Sequence, residues 1–245
     1  MKTIEQHKSL KAYNTFAVEC FCEHFISVNT TEELRAALLN EDFSERFILG
    51  GGSNLLLTKN LSGLCIHVNL KGIRVIEEDD DHAIIEASAG ENWHDFVLWT
   101  LDQGYGGLEN LALIPGNIGT APIQNIGAYG VELKDSFVNC TTLETKTAIP
   151  HRFNLEEVVF GYRNSIFKTD LKGKHVITAV QFRLTKKDHV LKTGYGAIQE
   201  ELGNNVSSPK NIAKAVIAIR QRKLPDPKKI GNSGSFFKNP VVTET

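Results

Sequence analysis

The chain has 245 residues, 41% of them hydrophobic, with 27 Lys and Arg against 29 Asp and Glu. That is enough for one large or two ordinary domains with a sizeable core, and it excludes the charge bias that would draw the protein to nucleic acid or to an anionic membrane surface. Cys20, Cys22, Cys65 and Cys140 include no CxxC pair, and no uncharged apolar run nears the ~18 residues of a membrane span; with no signal peptide read from Met1, a reducing cytoplasm is the expected compartment, and no obligate protein partner is implied.

The first fifty residues read as strand, helix, strand: HFISVN from His24, TTEELRAALLN from Thr30 and RFILG from Arg46. Thr30 with Glu33 makes a capping box, and Leu34, Ala37 and Leu38 give one apolar face. The turn GGGSN, Gly50 to Asn54, comes directly after the strand and runs into Leu55, Leu56 and Leu57. It has the glycines, hydroxyl and amide of a phosphate grip, but neither GxGxxG nor GxxxxGK[ST] occurs in the chain, which disfavours a Rossmann or P-loop site. From Gly63 to Gly90, LCIHVNL, IRVIEE and AIIEASAG alternate like short strands around the acidic turn Glu77 to Asp81, and antiparallel pairing is expected. Asn92 then caps a helix carrying Trp93, Phe96, Val97, Thr100 and Leu101 at helical spacing, an aromatic stripe that reads as core and not as a cofactor box.

The stretch from Gly104 to Gly130, GYGGLENLALIPGNIGTAPIQNIGAYG, holds seven of the twenty glycines and one charged side chain, Glu109. Glycines let main-chain amides approach an anion, Thr120, Gln124 and Asn125 add neutral donors, and Pro115 and Pro122 fix turns. The two readings are a cradle for a phosphorylated cofactor and an irregular glycine-rich crossing of the core. Beyond it, SFVNCTTLE and KTAIP suggest a hairpin, HVITAVQFRL from His175 a long strand, and NIAKAVIAIRQRK after Pro209 a helix with Ile212, Val216 and Ile219 on one face. LPDPKKI breaks that helix and marks a boundary before GNSGSFFKNP.

Arg163, set in FGYRNSIFK, needs an anionic partner for its planar fork, either a ligand carboxylate or phosphate or an internal acid. GNSGS superficially resembles the nucleophile segment of trypsin-like proteases, but no base can be assigned among the eight histidines. What remains is Ser235 on a glycine turn, where a hydroxyl at contact distance in a dry site could give a proton to a carbanion. The histidines lack paired ligand spacing, so no metal site is expected. Arg220, Arg222, Lys223, Lys228 and Lys229 form a basic patch that could meet a diphosphate or be a solvated helix end.

Together GGGSN, IPGNIGTAPIQNIGAYG, FGYRNSIFK, KLPDP and GNSGSFFKNP, with an NTF segment at Asn14, occur in the order seen in UDP-N-acetylenolpyruvoylglucosamine reductases (MurB), and the chain resembles that family over nearly its whole length. The resemblance implies an α+β protein with a two-subdomain FAD-binding fold of the vanillyl-alcohol-oxidase (PCMH) type, over residues 1–70 and 71–222, and the beginning of a third, substrate-binding α+β domain at 223–245. It places FAD against Gly50, Gly51, Gly52, Ser53, Asn54 and Leu55, and against Pro115, Gly116, Gly119, Thr120, Ala121, Gln124, Asn125, Gly127 and Ala128. It implies NADPH as co-substrate and reduction of UDP-N-acetylglucosamine enolpyruvate to UDP-N-acetylmuramate. Arg163 matches the carboxylate-binding arginine, Ser235 the proton donor, and Tyr195 the tyrosine of a substrate-covering loop; Tyr129, Lys223 and Asn239 match positions near the sugar nucleotide.

The family also carries a catalytic glutamate near its C-terminus, and no acid here, Glu244 included, stands in the matching context. The expectation is a C-terminally truncated member that holds FAD and turns over slowly or not at all, the alternative being an inactive flavin-binding module of the same ancestry. Another FAD oxidase of the superfamily is disfavoured by Arg163 with Ser235 and by the lack of a loop histidine for covalent flavin.

Overall fold

The computed structural model describes residues 3–234, 236, 237, 239 and 240. Its first sheet contains β1 (Glu5–Ser9), β2 (Phe21–Val28), β3 (Arg46–Leu49) and β4 (Leu61–Val68), in the spatial order β1-β2-β4-β3. Helix α1 (Thr31–Leu38) joins β2 to β3. Thr30 caps it, its Oγ1 accepting from the Glu33 amide at 3.1 Å, and its apolar stripe Leu34, Ala37 and Leu38 is buried against Ile26, Val28, Leu64 and Ile66.

β4 corrects one expectation. It lies parallel to both β2 and β3 in the middle of this first sheet and does not pair antiparallel with the next strand of the chain. The reason is visible in its burial: Leu64, Cys65 and Ile66 are consecutive and all buried, because Leu64 and Ile66 face the α1 side while Cys65 faces a second cluster with Leu10, Phe25 and Leu49. A strand covered on both faces reads as a continuous apolar run, the mark of a parallel central strand.

The second sheet is wholly antiparallel, as expected for the middle of the chain. It is built from β5 (Ile73–Glu78) and β6 (His82–Ser88), then, after helix α2 (Trp93–Asp102) and a small hairpin of β7 (Gly127–Ala128) with β8 (Val131–Glu132), from β9 (Phe137–Glu144), β10 (Pro150–Asn154) and β11 (His175–Thr185). Its order is β10-β9-β11-β6-β5. The second arm of the β9 hairpin is Pro150–Asn154, so most of KTAIP forms the turn. A short helix α3 (Leu155–Val158) comes after β10, and helices α4 (Gly196–Leu202) and α5 (Pro209–Lys223) close the described fold.

α2 packs on this sheet, and α5 packs on α4 and the 109–111 turn. Trp93 and Phe96 meet Phe182 of β11 at ring separations of 5.9 and 5.1 Å, and Ile212, Val216 and Ile219 of α5 are buried in the same cluster. Helical spacing brought each of these to the core. The two sheets are joined where Ala89, Leu143 and Val176 enter the cluster under α1. No helix among the described residues is long and apolar enough to cross a membrane, and all four cysteines are buried and free.

Leu143 is the test of that junction, because it sits on the second sheet but packs into the first. Leu143→Ala should lower unfolding stability by about 2–4 kcal/mol, read as a shifted midpoint in urea; an unchanged midpoint would mean that the sheets do not share this core.

Candidate functional site

The stretch from 104 to 130 contains short 3₁₀ turns at Glu109–Leu111, Ile118–Thr120 and Pro122–Gln124, then the β7–β8 hairpin. It is pressed directly onto the loop after β3. A Cβ on Gly50 would lie 2.6 Å from Thr120 Cγ2, one on Gly51 2.7 Å from Asn117 Oδ1, and one on Gly119 2.6 Å from the Ala89 Cβ. Ser53 Oγ donates to the Pro115 carbonyl at 3.1 Å, and Asn54 Nδ2 donates to Gln124 Oε1. The glycines are therefore needed to let two loops and the end of β6 approach one another.

That close contact leaves donors over. Among the described residues, the amides of Gly50 through Asn54 donate to no protein acceptor, and Gly52 is buried with a φ of +59°. Gly50, Gly51 and Ser53 are half-buried and Asn54 exposed, and a row of unmatched amides around a left-handed residue forms a concavity suited to an anion.

A cavity lies on each side of this seam. One, of about 200 Å³, lies between the sheets and is mostly apolar, lined by Ile48, Val68, Ile123, Phe167, Val176 and Ile177 together with Gly50, Gly119, Thr120 and His175. The other, of about 150 Å³, is a polar cleft lined by Ser53, Asn54, Pro115, Gln124, Gly127, Arg163, Lys168, Arg220 and Ser233, with Ile114, Ile126, Phe236 and Phe237 as its apolar part. Among the described residues that line it there is no carboxylate.

Arg163 has a φ of +52°, and its Nη2 donates to the Gly127 carbonyl at 2.6 Å. Arg220, half-buried at the end of α5, donates from Nε to the Leu113 carbonyl at 3.2 Å. Among the described residues neither guanidinium forms an ion pair with a carboxylate, so the internal salt bridge open to Arg163 is not made. Burial works against the charge of Arg220, and Arg163 nearby adds to that, while the Tyr129 phenol opposes it. Tyr129, also at positive φ, meets the Tyr195 ring edge-on at 5.4 Å; burial raises its phenol above the usual range, and Arg220 pulls the other way.

The structure brings most expected residues to this seam, with informative exceptions. Leu55 and Ala121 turn their side chains into the apolar cores, leaving only backbone to serve a ligand. Asn125, expected as a free donor, is fully buried. Its Nδ2 donates to Glu132 Oε2 at 3.0 Å and to the Gly161 carbonyl at 3.1 Å, and its Oδ1 accepts from the Lys134 amide at 3.1 Å. It is a strut that braces the loop. Ala128 packs against the second sheet's core.

Lys223 and Asn239 are exposed and outside both cavity linings. Ser235 and Glu244 lie outside the described residues, though Ser233 and Phe236 on either side of Ser235 line the cleft. Arg220 is the residue that sequence reasoning left in a generic basic patch; its spacing of four from Val216, beside the buried stripe of α5, was the available signal. Among the described residues no group of His, Cys, Asp and Glu could hold a metal.

Flanking cavities joined by a row of unmatched amides fit an extended dinucleotide, and comparison with known proteins defines its class. A family model described as "FAD binding domain" matches residues 23–148. Similar proteins include the UDP-N-acetylenolpyruvoylglucosamine reductase of Flavobacterium johnsoniae, 54% identical over 99% of this chain and 73% of that protein, and that of Bdellovibrio bacteriovorus, 47% identical over 98% and 73%. Among solved structures, the MurB of Thermus caldophilus aligns with a TM-score of 0.68 at 24% identity over 97% of this chain and 75% of that one. A solvent-stable cholesterol oxidase aligns at 0.52 and 12% over 75% and 38%; these two likenesses concern the fold.

The fold is thus the α+β FAD-binding fold of the PCMH type. The chain belongs to the UDP-N-acetylenolpyruvoylglucosamine reductase family and is an FAD-binding oxidoreductase of peptidoglycan synthesis.

Gly119 tests the seam directly. Gly119→Val must push the 118–120 turn away from Ala89 and narrow the apolar cavity, so FAD affinity, read by quenching of flavin fluorescence, should fall at least about 30-fold, some 2 kcal/mol. Unchanged affinity would show that the cofactor does not use this seam.

Proposed function

We propose that the chain catalyses the NADPH-driven reduction of UDP-N-acetylglucosamine enolpyruvate to UDP-N-acetylmuramate, in the cytoplasm, with FAD lying across the seam. The observation that carries this reading is the pair Arg163 and Arg220, two guanidiniums lining a cleft to which no described residue brings a carboxylate, next to unmatched amides. In this reading the lining of the apolar cavity would hold the adenine, Gly50 to Asn54 and the 116–120 turn the diphosphate, and the cationic cleft with Arg163 and Arg220 the isoalloxazine. Residues 1–70 and 71–222 serve as the two FAD-binding subdomains, and 223–245 begins the substrate-binding domain.

The bound flavin supplies the hydride, after NADPH has supplied it to the flavin. Hydride addition to the terminal carbon of the enolpyruvyl double bond leaves an electron pair on the carbon next to the carboxylate. Arg163 holds that carboxylate and stabilises the charge that spreads into it. Ser235 gives its hydroxyl proton to the carbon, completing the reduction of the double bond to a single bond. Tyr129, Tyr195, Lys223 and Asn239 would contact the sugar nucleotide, as the family resemblance implies, with Arg220 next to Tyr129 as a further fixed cation.

Anaerobic stopped-flow experiments test the assignment in two halves. NADPH should bleach the flavin spectrum, and the enolpyruvyl sugar nucleotide should restore it; reoxidation that ignores the sugar nucleotide would overturn the reading. Arg163→Met should leave bleaching nearly unchanged and slow the restoration by about 10³-fold, roughly 4 kcal/mol of transition-state stabilisation. Equal losses in both halves would assign Arg163 to cofactor binding instead.

A further inference from the structure

The start of α2 is the surface on which the 111–119 loop is laid. Trp93 donates from Nε1 to the Leu111 carbonyl and from its amide to the Gly116 carbonyl, both at 2.9 Å. Coming the other way, Ile118 and Gly119 donate to the carbonyls of Glu91 and Ala89 at 2.9 Å. These bonds all end on backbone carbonyls. A further one does not: the Leu113 amide donates to His94 Nδ1 at 3.0 Å.

An imidazole nitrogen that accepts must be unprotonated, so this bond fixes the tautomer, with the lone pair on Nδ1 and the proton on Nε2. An imidazolium has a proton on both nitrogens and cannot accept it. Leu113 itself holds a φ of +59°, a conformation that costs a non-glycine residue of order 1–3 kcal/mol unless its surroundings impose it. Its amide is held by His94 and its carbonyl by Arg220 Nε. The clamped residue stands two positions before Pro115 and three before Gly116.

We infer that His94 is a positioning residue: its neutral Nδ1 locks the left-handed turn at Leu113, which in turn orients Arg220 and the Pro115–Gly116 turn toward the bound flavin. Protonation breaks the lock. The charged groups facing His94 are Asp95 next to it on α2 and Arg220 from α5; the loop from 110 to 119 contributes no titratable side chain. Burial is the largest influence and lowers the histidine below its ordinary value, Asp95 opposes, and Arg220 reinforces. A released His94 therefore takes up a proton more readily than the locked one, so the lock is intact above the ordinary histidine value of about 6.5 and is lost as pH falls below it.

Two readouts test this. The first uses protein without added flavin: the His94 ring nitrogens, assigned by comparison with His94→Gln in nitrogen-resolved NMR, should show Nδ1 unprotonated and Nε2 protonated at neutral pH, titrating below about 6.5. The second is FAD affinity by fluorescence quenching. The unaltered protein should bind FAD about fivefold or more weakly near pH 5.5 than near pH 7.5. His94→Gln, whose side-chain oxygen accepts but does not titrate, should bind within about threefold of it near neutral pH with that pH dependence flattened. His94→Leu, checked for folding by its thermal transition, should bind about tenfold more weakly at both pH values. An Nδ1–H tautomer, a pH dependence that persists in His94→Gln, or full affinity in a folded His94→Leu would each overturn the inference. Loss of FAD binding by the unaltered protein near neutral pH would instead count against the cofactor site, and the tautomer would still decide the role of His94.

Discussion

Two glycine loops lie against each other closely enough that only the short side chains of Ser53, Asn117 and Thr120 fit against their glycines. Gly50 and Gly51 meet Thr120 and Asn117, Gly116 meets Ser53, and Gly119 meets the end of β6 at Ala89. A methyl group at Gly119 would have to displace backbone, and the apolar cavity between Val68 and Val176 would change with it. The two loops differ in their donors: the amides of 118–121 are taken by the carbonyls of Glu91, Ala89, Asn117 and Ile118, whereas among the described residues the N–H groups of Gly50 to Asn54 have no protein acceptor. An unpaired buried amide such as that of Gly52 costs about 1–3 kcal/mol, a cost that an anionic acceptor on the loop would remove.

The cations of the cleft obey a related logic. Arg163 and Arg220 are each oriented by a backbone carbonyl, of Gly127 and Leu113 respectively. A carboxylate partner would also have oriented them but would have neutralised them. Carbonyl partners fix the direction of the fork and leave its full charge for a ligand. The energetic cost lies in the burial of Arg220, in the proximity of two like charges, and in the left-handed backbone at Leu113, Asn125, Tyr129 and Arg163. Strain of this kind persists where surrounding bonds over-determine it, and here the bonds are identifiable: three to the side chain of Asn125, and one to each backbone polar group of Leu113.

Sequence reasoning reaches whatever is local. The capping of α1 by Thr30, the apolar stripes of α2 and α5, the antiparallel pairing of β5 with β6 and the hairpin that β9 opens are patterns within one or two elements, and periodicity displays them. β4 escapes it because neighbouring strands in sequence suggest a meander; its true partners, β2 and β3, are reached only through the α1 crossover, and its unbroken apolar run is the sign that distinguishes the two. Asn125 looks like a spare donor because an amide in a glycine-rich loop has no local partner, yet its partners come from Glu132, Lys134 and Gly161. Arg220 is obscured for the same reason. Its place in the cleft depends on Leu113 and Tyr129, about a hundred residues earlier in the chain.

The turn at Asn14 to Phe16 ties these pieces together. Asn14 is buried and builds the turn, its Nδ2 donating to the carbonyls of Leu10 and Val18 and its Oδ1 accepting from the Val18 amide. That frees Thr15 to face two directions. Its amide donates to the Gly52 carbonyl at 3.1 Å, and its own carbonyl accepts from the Asn232 amide at 2.8 Å. Phe16 then meets Phe236 edge-on at 5.4 Å. One three-residue turn thus braces the loop of unmatched amides and also holds Asn232 and Phe236, beside Ser233 and Phe237 on the cationic cleft. The turn therefore couples the loop whose amides lack a protein acceptor to one side of the polar cleft that Arg163 lines.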